Sequence, residues 1–236
     1  MKRLLLSLFV TVWIVSPQPP TATVPITVDD AASDVQITVT LTFGTTDTDG
    51  PKPVNFSGGG TARSRFELEG ALAPYGTSLN PGPNRIAASD VSFDLTVIQL
   101  FVPINFLIQG SGLSGSISGG RWTAGAPIAQ GTTELNTNGS QLILDQGLMQ
   151  VTSSLGVNET VDLSVTPLPF DLTGTATLVT EKNGSLYDLE ISLPLDQTAT
   201  IVQMGITVDV TIQGTVVLRG RTPLKPQLAP VPILLP

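Results

Sequence analysis

An alternation of apolar and polar residues with a period of two runs through much of the chain. In MGITVDVTIQGTVVLRG, residues 204–220, every even position up to 218 is apolar or glycine, and most odd positions are polar. The same period occurs in VQITVTLTF, residues 35–43, and in YDLEISLPL, residues 187–195. Because successive side chains of a strand point to opposite faces, each stretch predicts a half-buried antiparallel strand.

The stretch from residue 204 to residue 218 would be about 50 Å long as one strand, far longer than an ordinary strand. Gly214 lies in its apolar phase, and glycine within a strand often marks a bulge or a bend. Gly110 and Gly174 occupy the same phase in two similar segments. We therefore expect strongly bent sheets, with Gly214 facing inward between Ile212 and Val216.

The segment LTVIQLFVPINFLI, residues 95–108, departs from the alternation because it is apolar on both faces except at Thr96, Gln99 and Asn105. One interpretation is a central strand covered by a loop or by a second sheet. The alternative is a strip that faces lipid or a partner. Pro103 cannot donate a ladder hydrogen bond, so it predicts a bend or an edge position.

Turn signals separate the strand candidates, among them the Asn-Gly pairs at 138–139 and 183–184 and the Asp-Gly pair at 49–50. No segment of about ten residues has a convincing helical period. The sequence therefore predicts one all-β domain over residues 23–221. We expect an antiparallel sandwich with strongly bent sheets, or an open barrel, of about ten or more strands.

The N-terminal segment has the order of a secretory signal: Lys2 and Arg3, a short apolar run, and then SPQPPTA. We expect a signal peptide over residues 1–22, with cleavage near Ala22, and a secreted, periplasmic or cell-envelope location. Residues 222–236 are rich in proline and predict a semi-extended tail.

The composition excludes several kinds of chemistry. The chain contains no His and no Cys, so catalysis by Ser-His-Asp or Cys-His groups and sites with His or thiolate metal ligands are absent. The formal net charge of −8 argues against nucleic acid and anionic membrane surfaces as partners. No cofactor is expected, and without cysteine the fold must be held by burial alone.

Carboxylates are the remaining candidates for chemistry. Glu67 with Glu69, and Asp188 with Glu190, are two apart in predicted strands, a spacing of roughly 7 Å that could serve a glycosidase. Each pair is better explained as part of a polar outer face. The sequence GSGLSG, residues 110–115, matches a dinucleotide fingerprint but lacks the helix that must follow it.

Asp47 and Asp49 resemble the start of a calcium loop that lacks its terminal Glu. An Asp-Gly turn explains them without a metal, so we predict no metal site. We expect no enzymatic activity.

Three classes of function remain. The first is a non-catalytic structural or surface-interaction module whose partner is a protein or an apolar ligand. The second is a carrier of an apolar ligand such as a lipid, with Phe106, Ile108, Ile206 and Val208 lining its cavity. An outer-membrane barrel or a carboxylate-based hydrolase is the third. Barrels of this kind need aromatic girdles, whereas aromatic residues are 5% of the chain.

Overall fold

The fold is almost entirely antiparallel β-structure. The computed structural model describes residues 21–65, 78–81, 85–119, 122–123, 131–172, 174–184, 186–203 and 205–223. Within these ranges the regular structure consists of sixteen strands and one short 3-10 turn, Asp30–Ala32. The prediction of an all-β antiparallel fold with more than ten strands is therefore confirmed. None of the described segments is a helix with the length and apolar character needed to cross a membrane.

The strands vary in length from two to eighteen residues. The first eight are β1 (Thr21–Val28), β2 (Asp34–Phe43), β3 (Thr45–Pro53), β4 (Phe56–Arg65), β5 (Ser78–Pro81), β6 (Arg85–Ala88), β7 (Val91–Gln99) and β8 (Val102–Gly119). The next eight are β9 (Trp122–Thr123), β10 (Gly131–Asn136), β11 (Ser140–Ser153), β12 (Asn158–Asp162), β13 (Leu168–Leu172), β14 (Thr175–Asn183), β15 (Leu186–Gln203) and β16 (Ile206–Pro223).

Hydrogen bonds join these strands into one sheet, of which eleven strands form a strongly curled half-barrel. Its order is β12-β11-β8-β6-β4-β5-β9-β10-β14-β15-β16-β2-β3, with β1 paired to β16 and β4, β7 paired to β8, and β13 paired to β11. Because the sheet curls, strands that are distant in this order face each other across the core. Ile37 and Val210 on one wall line the same small interior space as Phe93, Ile108 and Met149 on the other.

The alternation in the sequence sets the buried face of the longest strands. In β2 the four residues Val35, Ile37, Val39 and Leu41 are buried, and in β15 the odd positions from 187 to 195 are buried. In β16 burial falls on the even positions from 206 to 212. The period of two therefore predicted the core face of these three strands correctly.

Gly214 does not face the core as predicted. It has a φ of +129°, it is exposed, and a Cβ built on it would overlap the carbonyl oxygen of Asp34 in β2. The positive φ turns the missing side chain toward the neighbouring backbone and away from Ile212 and Val216. The prediction that Gly174 lies in a strand in the same phase as Gly214 is also wrong, because Gly174 precedes β14.

The turn signals had mixed outcomes. The Asn183-Gly184 pair joins β14 to β15 as a hairpin, as predicted. The Asn138-Gly139 pair lies between β10 and β11, which pair with other strands and not with each other. Asp49 and Gly50 lie inside β3, and the chain reverses earlier, at Gly44. The last strand runs to Pro223, two residues into the segment predicted as a tail.

Candidate functional site

The apolar segment at residues 95–108 is a hairpin and not one strand. β7 and β8 pair from Gln99 opposite Val102 onward, so Leu100 and Phe101 form a two-residue turn. Both turn residues have a positive φ, +50° for Leu100 and +69° for Phe101, and their side chains are 87% and 98% exposed. Large apolar side chains thus occupy turn positions that normally hold Asn and Gly.

The sequence contains a signal for this hairpin that the period of two conceals. The buried residues of β7 are odd-numbered (Phe93, Leu95 and Val97), whereas those at the start of β8 are even-numbered (Ile104, Phe106 and Ile108). In a hairpin with a two-residue turn, an odd-numbered residue always lies opposite an even-numbered one, as Gln99 lies opposite Val102. Residues on one face are therefore odd-numbered before the turn and even-numbered after it. The change of parity between 97 and 104 therefore marks the reversal.

The turn between β2 and β3 lies against this hairpin. The amide of Ile98 donates to Thr45 Oγ1 at 2.6 Å, and the ring of Phe43 packs edge-on to Phe106 with centroids 6.2 Å apart. Gly44 leaves room for the hairpin, since a Cβ there would come within 3.1 Å of the carbonyl oxygen of Ile98. The two turns therefore end at the same side of the molecule.

Two further turns reach the same end. The turn from β11 to β12 contacts β8, where the amide of Ser154 donates to the carbonyl of Asn105 at 2.9 Å. The turn from β15 to β16 lies beside the β2–β3 turn, because Thr207 pairs with both Val202 and Thr42. Among the described residues, six large apolar side chains are exposed on three of these four turns, and we call this set the apolar end: Ile98, Leu100, Phe101, Val102, Leu155 and Val202.

A shallow apolar cavity opens beside two of these turns. Its walls are β11 and β12 on one side and β15 and β16 on the other, with Val151 and Val157 opposite Ile201, Ile206 and Val208. The cavity measures about 30 Å³, which is room for water but not for a lipid chain. It extends the apolar surface of the turns inward between the two walls.

The four residues predicted to line one ligand cavity lie at two different places in the structure. Ile206 and Val208 line the cavity at the apolar end. Phe106 and Ile108 are buried in the core on β8, and Ile108 borders an interior space of about 20 Å³. No cavity in the described part of the chain is lined by all four.

Asp47 and Asp49 hold two strands together. Asp47 Oδ2 accepts from the amide of Thr96 at 2.6 Å, and Asp49 Oδ2 accepts from the amide of Asp94 at 2.8 Å and from Lys52 Nζ at 2.6 Å. Together with Thr45, these side chains accept hydrogen bonds from alternate backbone amides of β7, along the edge that does not pair with β8. Their oxygens are engaged in joining β3 to β7, and no group of three potential metal ligands occurs among the described residues.

Asp188 and Glu190 lie in cross-strand ion pairs on the outer face. Asp188 pairs with Arg221, and Glu190 pairs with Arg219 at 3.0 Å. The hydrogen bonds that Arg221 and Asn183 donate to Asp188 hold the pKa of its carboxyl below the ordinary value. A glycosidase acid needs a raised pKa, so this carboxyl is poorly suited to that role. The pairs line a groove of about 750 Å³.

Two sequence candidates remain, and the structure describes one of them. Residues 110–115, the GSGLSG sequence, lie inside β8, and strand follows them where a dinucleotide site needs a helix. Glu67 and Glu69 lie outside the described residues.

The chain was compared with protein-family models, with curated proteins and with solved structures, and none of the three comparisons gives a match.

Proposed function

We propose that the chain is an exported, non-catalytic β-domain that acts as a surface-interaction module, with the apolar end as its contact surface. One observation carries the proposal: six large apolar side chains at this end are between 51% and 98% exposed. Solitary exposed apolar residues are ordinary, but several grouped on adjoining turns are typical of interaction sites. The location outside the cytoplasm rests on the signal-like sequence of residues 1–22, of which the structure describes only Thr21 and Ala22, the first two residues of β1.

The chemistry of the described side chains supports a binding role over a catalytic one. Two of the carboxylates considered for catalysis lie in ion pairs: Asp188 with Arg221 and Glu190 with Arg219. Without His or Cys, the chain also lacks the groups that most often supply a base or a nucleophile near neutral pH.

Retention on an octyl-substituted matrix at physiological ionic strength tests the proposal without requiring a known partner. We expect the double variant Leu100→Ser/Phe101→Ser to elute earlier than the natural chain. Val165→Ser is the matched control, because Val165 is 77% exposed but is not part of the apolar end. Leu155 precedes β12, whereas Val165 follows it, at the opposite end of that strand. Equal retention of all three proteins would mean that the apolar end is not an adhesive surface.

A carrier of an apolar ligand is the second candidate function. The apolar cavity with Ile206 and Val208 in its wall favours it, although the two walls would have to separate to admit a lipid chain. Native mass spectrometry of the purified chain tests this function directly. A bound lipid mass that is lost in an Ile206→Asp/Val208→Asp variant would support the carrier, and a spectrum showing only the bare chain would contradict it.

A further inference from the structure

We infer that the apolar end docks on the surface of a lipid bilayer with neutral, zwitterionic headgroups. The inference rests on the proposed surface-interaction function and names its partner. Leu100 and Phe101 are exposed on the β7–β8 turn, and Leu155 and Val202 are exposed on two other turns at the same end. Insertion of these side chains into the boundary between headgroups and acyl chains would bury them without any change in the fold.

The charge distribution selects the kind of bilayer. The four turns, residues 43–45, 98–102, 153–158 and 202–206, contain no Lys, Arg, Asp or Glu. Arg219 and Arg221 are near the far end of β16, and at strand rise Arg219 is about 40 Å from Ile206 measured along the strand. No basic residue in the turns can attract anionic headgroups, and the net charge of −8 repels them. Binding to a neutral bilayer surface needs no basic residues and is not opposed by the net negative charge.

The backbone of the β11–β12 turn is suited to an environment with little water. The amides of Leu155 and Val157 donate to Ser153 Oγ at 3.3 and 3.2 Å, and the amide of Gly156 donates to the carbonyl of Ser153 at 3.0 Å. The amide of Ser154 is satisfied by Asn105. Unsatisfied amides are costly to move out of water, so this pattern lowers the cost of inserting Leu155.

The shape of the apolar end favours a bilayer over a protein partner. A stable protein interface buries about 800 Å² on each side, with closely fitting surfaces and paired polar groups. Here the exposed side chains stand on separate turns. Four polar side chains of the turns already have hydrogen-bond partners within the chain: Thr45, Ser153, Ser154 and Asn158. A fluid bilayer adapts to such uneven projections, and the strength of binding depends chiefly on the apolar area inserted.

Flotation of the purified full chain with phosphatidylcholine vesicles tests the inference. We expect the natural chain to float with the vesicles, and Leu100→Ser/Phe101→Ser to reduce its partition coefficient about tenfold or more. Val165→Ser should remain within about twofold of the natural value. All three proteins carry the same N-terminal segment, so the differences between them report on the apolar end. An equal loss in the control, or no difference among the three, would overturn the inference.

A site-specific readout completes the test. The natural chain contains Trp13 and Trp122, so its quenching by brominated phosphatidylcholine is the baseline. A Phe101→Trp variant should be quenched more than this baseline, whereas a Val165→Trp variant should show no additional quenching. Adding anionic lipid should leave binding unchanged or weaken it. A requirement for anionic lipid, or no quenching at position 101, would overturn the inference. If the octyl matrix retains the chain through Leu100 and Phe101 but neutral vesicles do not bind it, the bilayer is wrong and the interaction function stands.

Discussion

Gly214→Ala tests whether β16, one of the three longest strands, depends on a glycine at its centre. Gly214 pairs with Leu195 of β15 on one side and with Val35 of β2 on the other, and its φ of +129° is one that other residues rarely adopt. A Cβ at this position would overlap the carbonyl oxygen of Asp34 and lie 2.8 Å from the Cα of Val35. The substitution therefore strains the backbone and collides with a neighbouring strand.

The two costs can be separated. Holding a residue other than glycine at such a φ costs about 1 to 3 kcal/mol. Displacing the packed backbone of Asp34 and Val35 adds about 1 to 3 kcal/mol, by analogy with overpacking in cores. Gly174 provides the control, since its φ of +122° is similar but no heavy atom lies within 4 Å of its Cβ position. We expect Gly174→Ala to show the first cost alone, and Gly214→Ala to show the sum, about 2 to 6 kcal/mol.

Urea unfolding of both variants, followed by far-ultraviolet circular dichroism, measures the difference. Replacing glycine by alanine also lowers the conformational entropy of the unfolded chain, which stabilises the folded state. This effect is the same for both substitutions and cancels in the comparison. We expect Gly214→Ala to lose about 1 to 3 kcal/mol more free energy of unfolding than Gly174→Ala. Equal losses would show that β2 shifts freely away from position 214, and the explanation from close strand approach would be refuted.

Two further predictions concern buried and edge hydrogen bonds. Ser140→Ala removes the acceptor 3.0 Å from the indole Nε1 of Trp122, and because both residues are buried we expect a loss of about 1 to 3 kcal/mol in urea unfolding. The hydrogen bond from Lys52 holds the pKa of Asp49 below its ordinary value, so this stabilisation is present above the unfolded pKa and is lost as the pH falls through the folded pKa. The free energy of unfolding of Asp49→Asn should therefore fall less than that of the natural chain between pH 7 and pH 2.5, and parallel curves would contradict this.

Local sequence predicted those parts of the fold in which one strand carries its own pattern. β2, β15 and β16 alternate because each has one face on the core, and that requirement is visible in the residues of the strand alone. The orientation of Gly214 could not be predicted in this way. It depends on the carbonyl of Asp34, which lies 180 residues earlier in the chain and comes close only through the pairing of β16 with β2.

The apolar end was still harder to predict, because it is a property of four turns together. Leu155 and Val202 are unremarkable in the sequence and become part of one surface only through the contacts of Asn105 with Ser154 and of Thr42 with Thr207. The sequence did indicate that residues 95–108 were unusual. The change of parity between residues 97 and 104 marks the reversal of the chain, but the sequence could not show that the turn residues are exposed, because hydropathy alone does not distinguish buried from exposed apolar residues.

The turn at Leu100 and Phe101 offers a final prediction that links stability to function. Both residues are held in left-handed backbone conformations, which cost an ordinary residue roughly 1 to 2 kcal/mol. Asn and Gly adopt these conformations readily and are the residues that two-residue hairpins normally use. Since both native side chains are almost fully exposed, their replacement loses little packing. We therefore expect Leu100→Asn/Phe101→Gly to raise the free energy of unfolding by about 1 to 3 kcal/mol.

The same double variant should bind phosphatidylcholine vesicles about tenfold more weakly or worse, because two of the largest inserted side chains are gone. A gain in stability together with a loss of binding would mean that the natural turn is less stable than it could be and that its side chains form the contact surface. Urea unfolding and vesicle flotation on one preparation give both quantities. If the variant is instead destabilised, Leu100 and Phe101 contribute to packing in the folded chain, and their exposure does not reflect a contact surface.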